Sequence, residues 1–200
     1  MISIMYAFWL FLILFGLIGA MRGWAKELLV VFSIILSLFL IYVLEHFTSY
    51  VKPFQDVLAR VENLTAETEF TSLPPFIQEE LQTQFWIRAA IVGILAFFGY
   101  QTPRLATLRE KARREKVQDV LFGLILGLVC GYFIVGTLWW YMDAACYPFS
   151  PYITAPQPDH PMGEAALRAL NYFPPVFASN QIGLFIAVVI SFMFVLVVFI

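Results

Sequence analysis

Five stretches of this chain are apolar over roughly the length that a lipid bilayer requires. A hydrocarbon core of ~30 Å takes ~20 mainly apolar residues in helical form. The stretches lie at about 2–20, 25–44, 86–102, 120–142 and 182–200. Since 61% of the residues are hydrophobic and 13% are charged, a soluble fold could not cover its apolar surface. The sequence predicts an all-α, polytopic transmembrane bundle with four core helices and an additional fifth helix.

Charged residues interrupt the first 44 residues at GAMRGWAKELL, which carries Arg22, Lys26 and Glu27. One helix over 2–44 would be about 64 Å long at ~1.5 Å per residue, about twice the core thickness, and would leave these charges in lipid. Gly19 and Gly23 permit a tight turn. The stretch therefore predicts the tip of a helical hairpin at the membrane surface.

A cleaved signal peptide is the alternative interpretation of residues 1–20. It requires a basic region before a shorter apolar core and small residues at a cleavage site. Here residues 1–4 have no basic side chain, and the basic residues follow the apolar run. The pattern favours a retained helix.

The third apolar stretch contains Arg88 near its start, beside Trp86. We expect the Arg88 side chain to lie along the helix and reach headgroups or water with its guanidinium. Trp86 fits the aromatic belt at the interface. Pro74 and Pro75 are expected to open a helix that runs on into this crossing.

The distribution of basic residues predicts the orientation. Residues 45–85 and 143–181 contain few basic side chains, whereas 103–119 contains Arg104, Arg109, Lys111, Arg113, Arg114 and Lys116. Lys and Arg accumulate in cytoplasmic loops. We therefore expect 103–119 and the hairpin tip to be cytoplasmic, the N-terminus outside and the C-terminus inside.

Short helices are predicted in the two outer segments. Apolar residues recur at helical spacing over 53–64, as in an amphipathic helix that rests on the bilayer or the bundle. Residues 163–173 are expected to form a short helix that Pro174 and Pro175 end. The stretch 147–161 is expected to be irregular.

Glycines repeat every fourth residue in GLILGLVCG, at Gly123, Gly127 and Gly131. Such glycines share one helix face and let another helix approach closely. Packing within the chain is the simplest interpretation, with oligomerisation or a pore lining as alternatives. For Arg22, Lys26 and Glu27 two interpretations stay open: orientation of the hairpin, or a functional site.

The sequence carries no pattern for an enzyme, a cofactor or a metal site. GxSxG, HExxH, a Walker loop and a dinucleotide fingerprint are all missing, and no basic aromatic face suits nucleic acid. Cys130 and Cys146 lack CxxC spacing and would be ~24 Å apart on one helix, too far for a disulfide. We expect no catalytic, cofactor-binding or metal-ligating residues.

Two motifs, in this order, resemble the colicin V production protein family. GLIGAMRGWAKELL resembles the opening of that family, and DVLFGLILGLVCG resembles its last core helix. The helix 163–173 resembles the segment that follows, so that the likeness covers roughly 5–175. The matching residues are Arg22, Gly23, Lys26 and Glu27 at the hairpin tip, and Asp119, Gly123, Gly127 and Gly131 on the glycine helix.

The resemblance implies a bacterial inner-membrane protein linked to toxin production or export and to envelope homeostasis. On this basis residues 1–181 are a colicin V production-like membrane domain, and 182–200 is an additional transmembrane helix. The expected role is a scaffold or accessory with membrane protein partners or self-association, in contact with the bilayer. A small transporter or channel subunit is the alternative.

Overall fold

A computed structural model describes residues 4–61, 70–101, 116–150, 152–159 and 161–199. The structure is 81% helical, and the described residues contain no strand. The helices are α1 (Ile4–Arg22), α2 (Trp24–Phe47), α3 (Phe54–Leu58), α4 (Pro75–Tyr100), α5 (Lys116–Ala144), α6 (Pro161–Leu170), α7 (Pro174–Ala178) and α8 (Gln181–Phe199), with a 3-10 turn at Phe70–Ser72.

Four of the described helices are long and apolar enough to cross a membrane: α1, α2, α4 and most of α5. A fifth span is possible if Pro161–Ala178 and Gln181–Val197, which meet at a 74° bend, count as one. The chain is thus a multi-pass helical membrane protein. As expected, α4 begins at Pro75, well before the apolar stretch that makes the third crossing.

The contacts along α5 show that α1 and α2 form a hairpin. Helix α1 runs antiparallel to α5, because Gly19 lies on Gly123 and the Phe8 ring lies 5.7 Å from that of Trp139. Helix α2 runs parallel to α5: its first residue, Trp24, bonds Asp119. Since α1 and α2 have opposite directions relative to one neighbour, they are antiparallel to each other, and the chain reverses at Gly23.

Helices α4 and α8 both run antiparallel to α2. Gly99 of α4 lies on Ser33, and Arg88, about three turns earlier, pairs with Glu45. In α8, the Phe185 ring lies 5.2 Å from Phe39 and the Phe192 ring 6.1 Å from Phe32.

We call the end of the bundle with Gly23, Tyr100 and Asp119 the tip end, and the end with Phe8, Glu45 and Tyr141 the far end. The loop predicted over 103–119 joins two helix ends at the tip end, but its residues 103–115 lie outside the described part.

A hydrophobic core fills the far end, where the short helices close over the bundle. Its buried members include Phe54, Val57, Ile77, Leu81, Trp139, Met142, Leu170 and Phe173. Full burial of one such side chain contributes roughly 1.5–3 kcal/mol outside the hydrocarbon region. Helix α6 also buries its apolar side against this core: Ala166 and Leu170 face inward, and the Glu164–Arg168 ion pair is exposed.

Two expectations for the outer segments need correction. The amphipathic helix predicted over 53–64 is helical only to Leu58 and packs on the bundle through Phe54 and Val57, while 62–64 lies outside the described residues. The helix predicted over 163–173 ends at Leu170, and Pro174 and Pro175 do not end it. They begin α7 instead, because proline fits the first turn of a helix, where the missing N–H is not needed.

Candidate functional site

Gly23 forms the corner between α1 and α2, and its conformation explains why a glycine stands there. Its φ of 86° lies in a region that side chains disfavour. A Cβ atom at this position would also lie 2.7 Å from both carboxylate oxygens of Asp119. Two separate causes therefore exclude a side chain at this position: the positive φ of the backbone and the close approach of the Asp119 carboxylate.

Asp119 caps α2 from a different helix. Its Oδ1 accepts the Trp24 N–H at 3.2 Å, one of the N–H groups that a helix start leaves without a partner. The carboxylate also lies near the positive end of the α2 dipole. The acid that precedes the glycine motif thus lies against the hairpin tip, and the two motifs that carry the family resemblance meet here.

The glycine motif of α5 forms a backbone-to-backbone contact with α1. A Cβ at Gly123 would lie 2.4 Å from the Gly19 carbonyl oxygen, and one at Gly127 would lie 2.4 Å from that of Phe15. Gly131 packs on the Phe15 side chain. Gly19 thus serves helix packing inside α1, whereas the sequence interpretation placed it in the turn.

Arg22, the last residue of α1, bonds residues of α2 and α4 at the tip end. Its Nη1 donates to Glu27 Oε1 at 2.6 Å, and its Nη2 donates to the Tyr100 carbonyl at 2.8 Å. The guanidinium also lies 4.4 Å from the centre of the Tyr100 ring. The arginine side chain keeps 20% of its exposure, whereas that of Glu27 has none. Lys26 is half-buried and makes no ion pair among the described residues.

The surroundings of Glu27 contain two more buried polar groups. Its carboxylate oxygen Oε2 and the Tyr100 hydroxyl are both buried without a hydrogen-bond partner in the described structure. The fully buried Cys130 thiol donates to the Glu27 backbone carbonyl at 3.5 Å. The Tyr100 hydroxyl and the Cys130 thiol both face the Glu27 carboxylate. These four side chains, Arg22, Glu27, Tyr100 and Cys130, we call the tip cluster.

Arg88 does not extend to the interface as the sequence predicted, because the protein itself surrounds its guanidinium. The side chain has no exposure and lies 4.3 Å from the Phe54 ring centre. Its Nη2 donates to Glu45 Oε1 and to the Lys52 carbonyl, and its Nη1 donates to the carbonyl and side chain of Gln84. The neighbouring Trp86 is exposed, as an interfacial residue should be.

Sequence reasoning missed Tyr100 as a partner of Arg22 and Glu45 as the partner of Arg88. Tyr100 lies 78 residues from Arg22, and Glu45 lies 43 residues from Arg88. No local spacing connects residues at such separations. One signal in the sequence could have suggested the acidic partners. An arginine in an apolar helix needs an acid nearby, and Glu27 and Glu45 lie at the two ends of the apolar part of α2.

Both cysteines are free. Cys130 belongs to the tip cluster, and Cys146 lies in the turn after α5 with a φ of 57°. Burial, with a smaller contribution from Asp143, raises the pKa of the Cys146 thiol, so that its reactive thiolate form is disfavoured.

Comparison with known proteins brings no match to a family model, a curated protein or a solved structure.

Proposed function

We propose that this protein is a membrane scaffold or accessory of the colicin V production type, located in a bacterial inner membrane and linked to toxin production or export and to envelope homeostasis. In this proposal the tip end and the loop 103–119 are cytoplasmic, and the N-terminus is outside. The protein presents its lipid-facing helices to other membrane proteins or to a second copy.

The observation that carries the proposal is the contact between the two motifs of the resemblance. Trp24 and Asp119 are 95 residues apart and are joined by a hydrogen bond at the Gly23 corner. The glycines that follow Asp119 continue the same contact along α1. Both motifs thus pack against each other in one helical unit, which supports a scaffold.

The transporter or channel alternative requires polar groups around a cavity near the membrane midplane. Of the polar residues in the apolar runs, Ser33, Ser37 and Ser191 bond carbonyls of their own helices, and the hydroxyl of the fully buried Thr137 has no hydrogen-bond partner among the described residues. A surface groove of about 430 Å³ between α1 and α5 is lined by apolar atoms alone. Neither buried ion pair lines this groove, and the two pairs lie towards opposite ends of the bundle. We therefore favour the scaffold.

Photocrosslinking in the native membrane tests the proposal. A photoreactive residue at the exposed Leu17 or Ile94 should capture inner-membrane proteins of export or envelope maintenance. The same residue at the buried Leu38 is the matched control and should capture none. A deletion strain should show an envelope defect that the parent chain rescues. An intact envelope in that strain, or solute transport by the purified protein in liposomes, would contradict the scaffold role.

A further inference from the structure

The chain between α6 and α7 lies at membrane depth, although it is not helical. Tyr132 lies near the middle of the apolar stretch 120–142 of α5, and its hydroxyl donates to the Tyr172 carbonyl. One turn further along α5, a Cβ at Gly136 would lie 2.8 Å from the Phe173 ring. Gly136 is about 9 Å from the end of the stretch at ~1.5 Å per residue. Residues 171–173 therefore lie inside the hydrocarbon region, in the half of the bilayer at the far end.

The backbone of this break has the partners that a hydrocarbon medium requires. The N–H groups of Asn171, Tyr172 and Phe173 donate to carbonyls of α6, and Tyr132 donates to the Tyr172 carbonyl. At membrane depth, irregular backbone is tolerated only where the protein supplies such partners. Pro161–Ala178 thus enters the far-end leaflet and leaves it again, and the 74° bend to Gln181–Val197 follows.

A groove opens towards lipid beside this break. It has a volume of about 430 Å³ and is lined by apolar atoms of α1, α5 and the end of α6, which include those of Phe8, Trp9, Leu128, Tyr132, Ala169 and Tyr172. Trp9 is 51% exposed and Tyr172 66%, so the groove faces away from the bundle. The medium at this depth is hydrocarbon, and an unfilled groove would lose the dispersion contacts of its walls. An acyl chain fits both the place and the lining.

A charged pair marks the headgroup level next to the groove. Glu164 is 58% exposed and Arg168 71%, and ionised side chains of this kind belong outside the hydrocarbon. Arg168 adjoins Ala169 and precedes Tyr172 by one turn, and both of these residues line the groove. An exposed ion pair is weak, and a guanidinium binds phosphate with two parallel hydrogen bonds. A positive charge at the surface end of an apolar groove matches the chemistry of a phospholipid.

We propose that the groove between α1, α5 and α6 holds one acyl chain of a phospholipid from the far-end leaflet, with the phosphate of that lipid on Arg168. The chain replaces contacts that the protein does not make for itself, and the phosphate exchanges with the Glu164 carboxylate. The lipid thereby joins α1 to the segment that enters the leaflet. This site binds a lipid and not a protein, so it does not depend on the scaffold role.

Native mass spectrometry of the protein released from mild detergent tests the site, because detergent removes lipids that only surround the bundle. The parent should retain one phospholipid. Ala169→Phe should lose it, since the ring fills the groove. Val129→Phe, on the α5 wall, provides a second test if the first variant does not fold. Ala90→Phe, at an exposed position of α4 outside the groove, is the matched control and should retain the lipid.

Arg168→Gln tests the headgroup contact in a titration with palmitoyl-oleoyl phosphatidylglycerol. Loss of the charge-assisted bonds should weaken binding about tenfold. Arg60→Gln is the matched control and should bind like the parent, because its arginine pairs with Glu80 on α4, away from the groove. Diacylglycerol with the same chains lacks the phosphate and should bind the parent as weakly as the phospholipid binds Arg168→Gln.

A phospholipid with a diazirine in its acyl chain locates the lipid in nanodiscs. Crosslinks to Trp9 and Leu128 should exceed those to the exposed Ile190 of α8, which reports the surrounding bilayer. The proposal is overturned if Ile190 is labelled as strongly as the groove, if Arg168→Gln binds like the parent, or if the folded groove variants keep the lipid. A purified parent with no phospholipid, or with a second copy that Ala169→Phe releases, would overturn it as well.

Discussion

The ion pair between the fully buried Arg88 and the part-buried Glu45 yields the sharpest stability prediction. Glu45→Gln removes the negative charge but leaves an arginine with no exposure. Loss of one partner from a buried pair costs about 3–5 kcal/mol, because the other charge stays buried. Arg88 would keep Gln84, the Lys52 carbonyl and the Phe54 ring, so we expect a cost near the lower end, about 3 kcal/mol.

Removal of both charges should cost less than removal of one. In the double change Arg88→Met with Glu45→Gln no charge stays buried, and Gln84 keeps its bond from the Lys52 N–H. The Lys52 carbonyl loses a donor, at about 1–3 kcal/mol. Since an apolar side chain that replaces a buried charge is often neutral or stabilising, we expect the total to lie in the lower part of this range, below the cost of the single change Glu45→Gln.

Reversible unfolding in mixed micelles with rising detergent fraction measures these free energies. The matched control is Glu164→Gln, which breaks an exposed pair with Arg168 and should cost about 0–1 kcal/mol. If Glu45→Gln is as mild as this control, or milder than the double change, Arg88 does not depend on Glu45 and the reasoning fails.

Three further predictions concern the glycines and the topology. Gly127→Leu should strongly lower thermal stability in detergent, while Gly93→Leu should not, because a Cβ at Gly93 meets nothing; equal losses would count against the glycine contact. Gly23→Ala should destabilise through its positive φ, by about 1–3 kcal/mol, and through its clash with Asp119; adding Asp119→Ala should relieve only the clash. Lys111→Cys should resist an impermeant thiol reagent in intact cells, and labelling from outside would reverse the proposed orientation.

The sequence by itself determined where the helices cross. Membrane thickness sets a minimum apolar length, and a charge inside an apolar run moves to a surface unless it is paired. These are local properties, so the break at Gly23 and the start of α4 at Pro75 could be located from residues close in the chain. The repeat of glycine at every fourth residue is also visible locally, and it predicts close helix packing. It does not show that the packing partner is α1.

Only the tertiary structure decided which charges are paired. The Arg88 guanidinium does not lie at the interface, because folding brings it to an acid 43 residues away and encloses the arginine side chain in the protein. Asp119 acts as a cap only because α5 places it beside the start of α2, 95 residues earlier. A single sequence contains the identities of such groups but not the distances between them. Those distances follow from how the helices pack in the lipid bilayer. Lipid neither hydrates a charge nor drives apolar helix surfaces together, so close backbone contacts and ion pairs inside the protein decide which helices lie side by side.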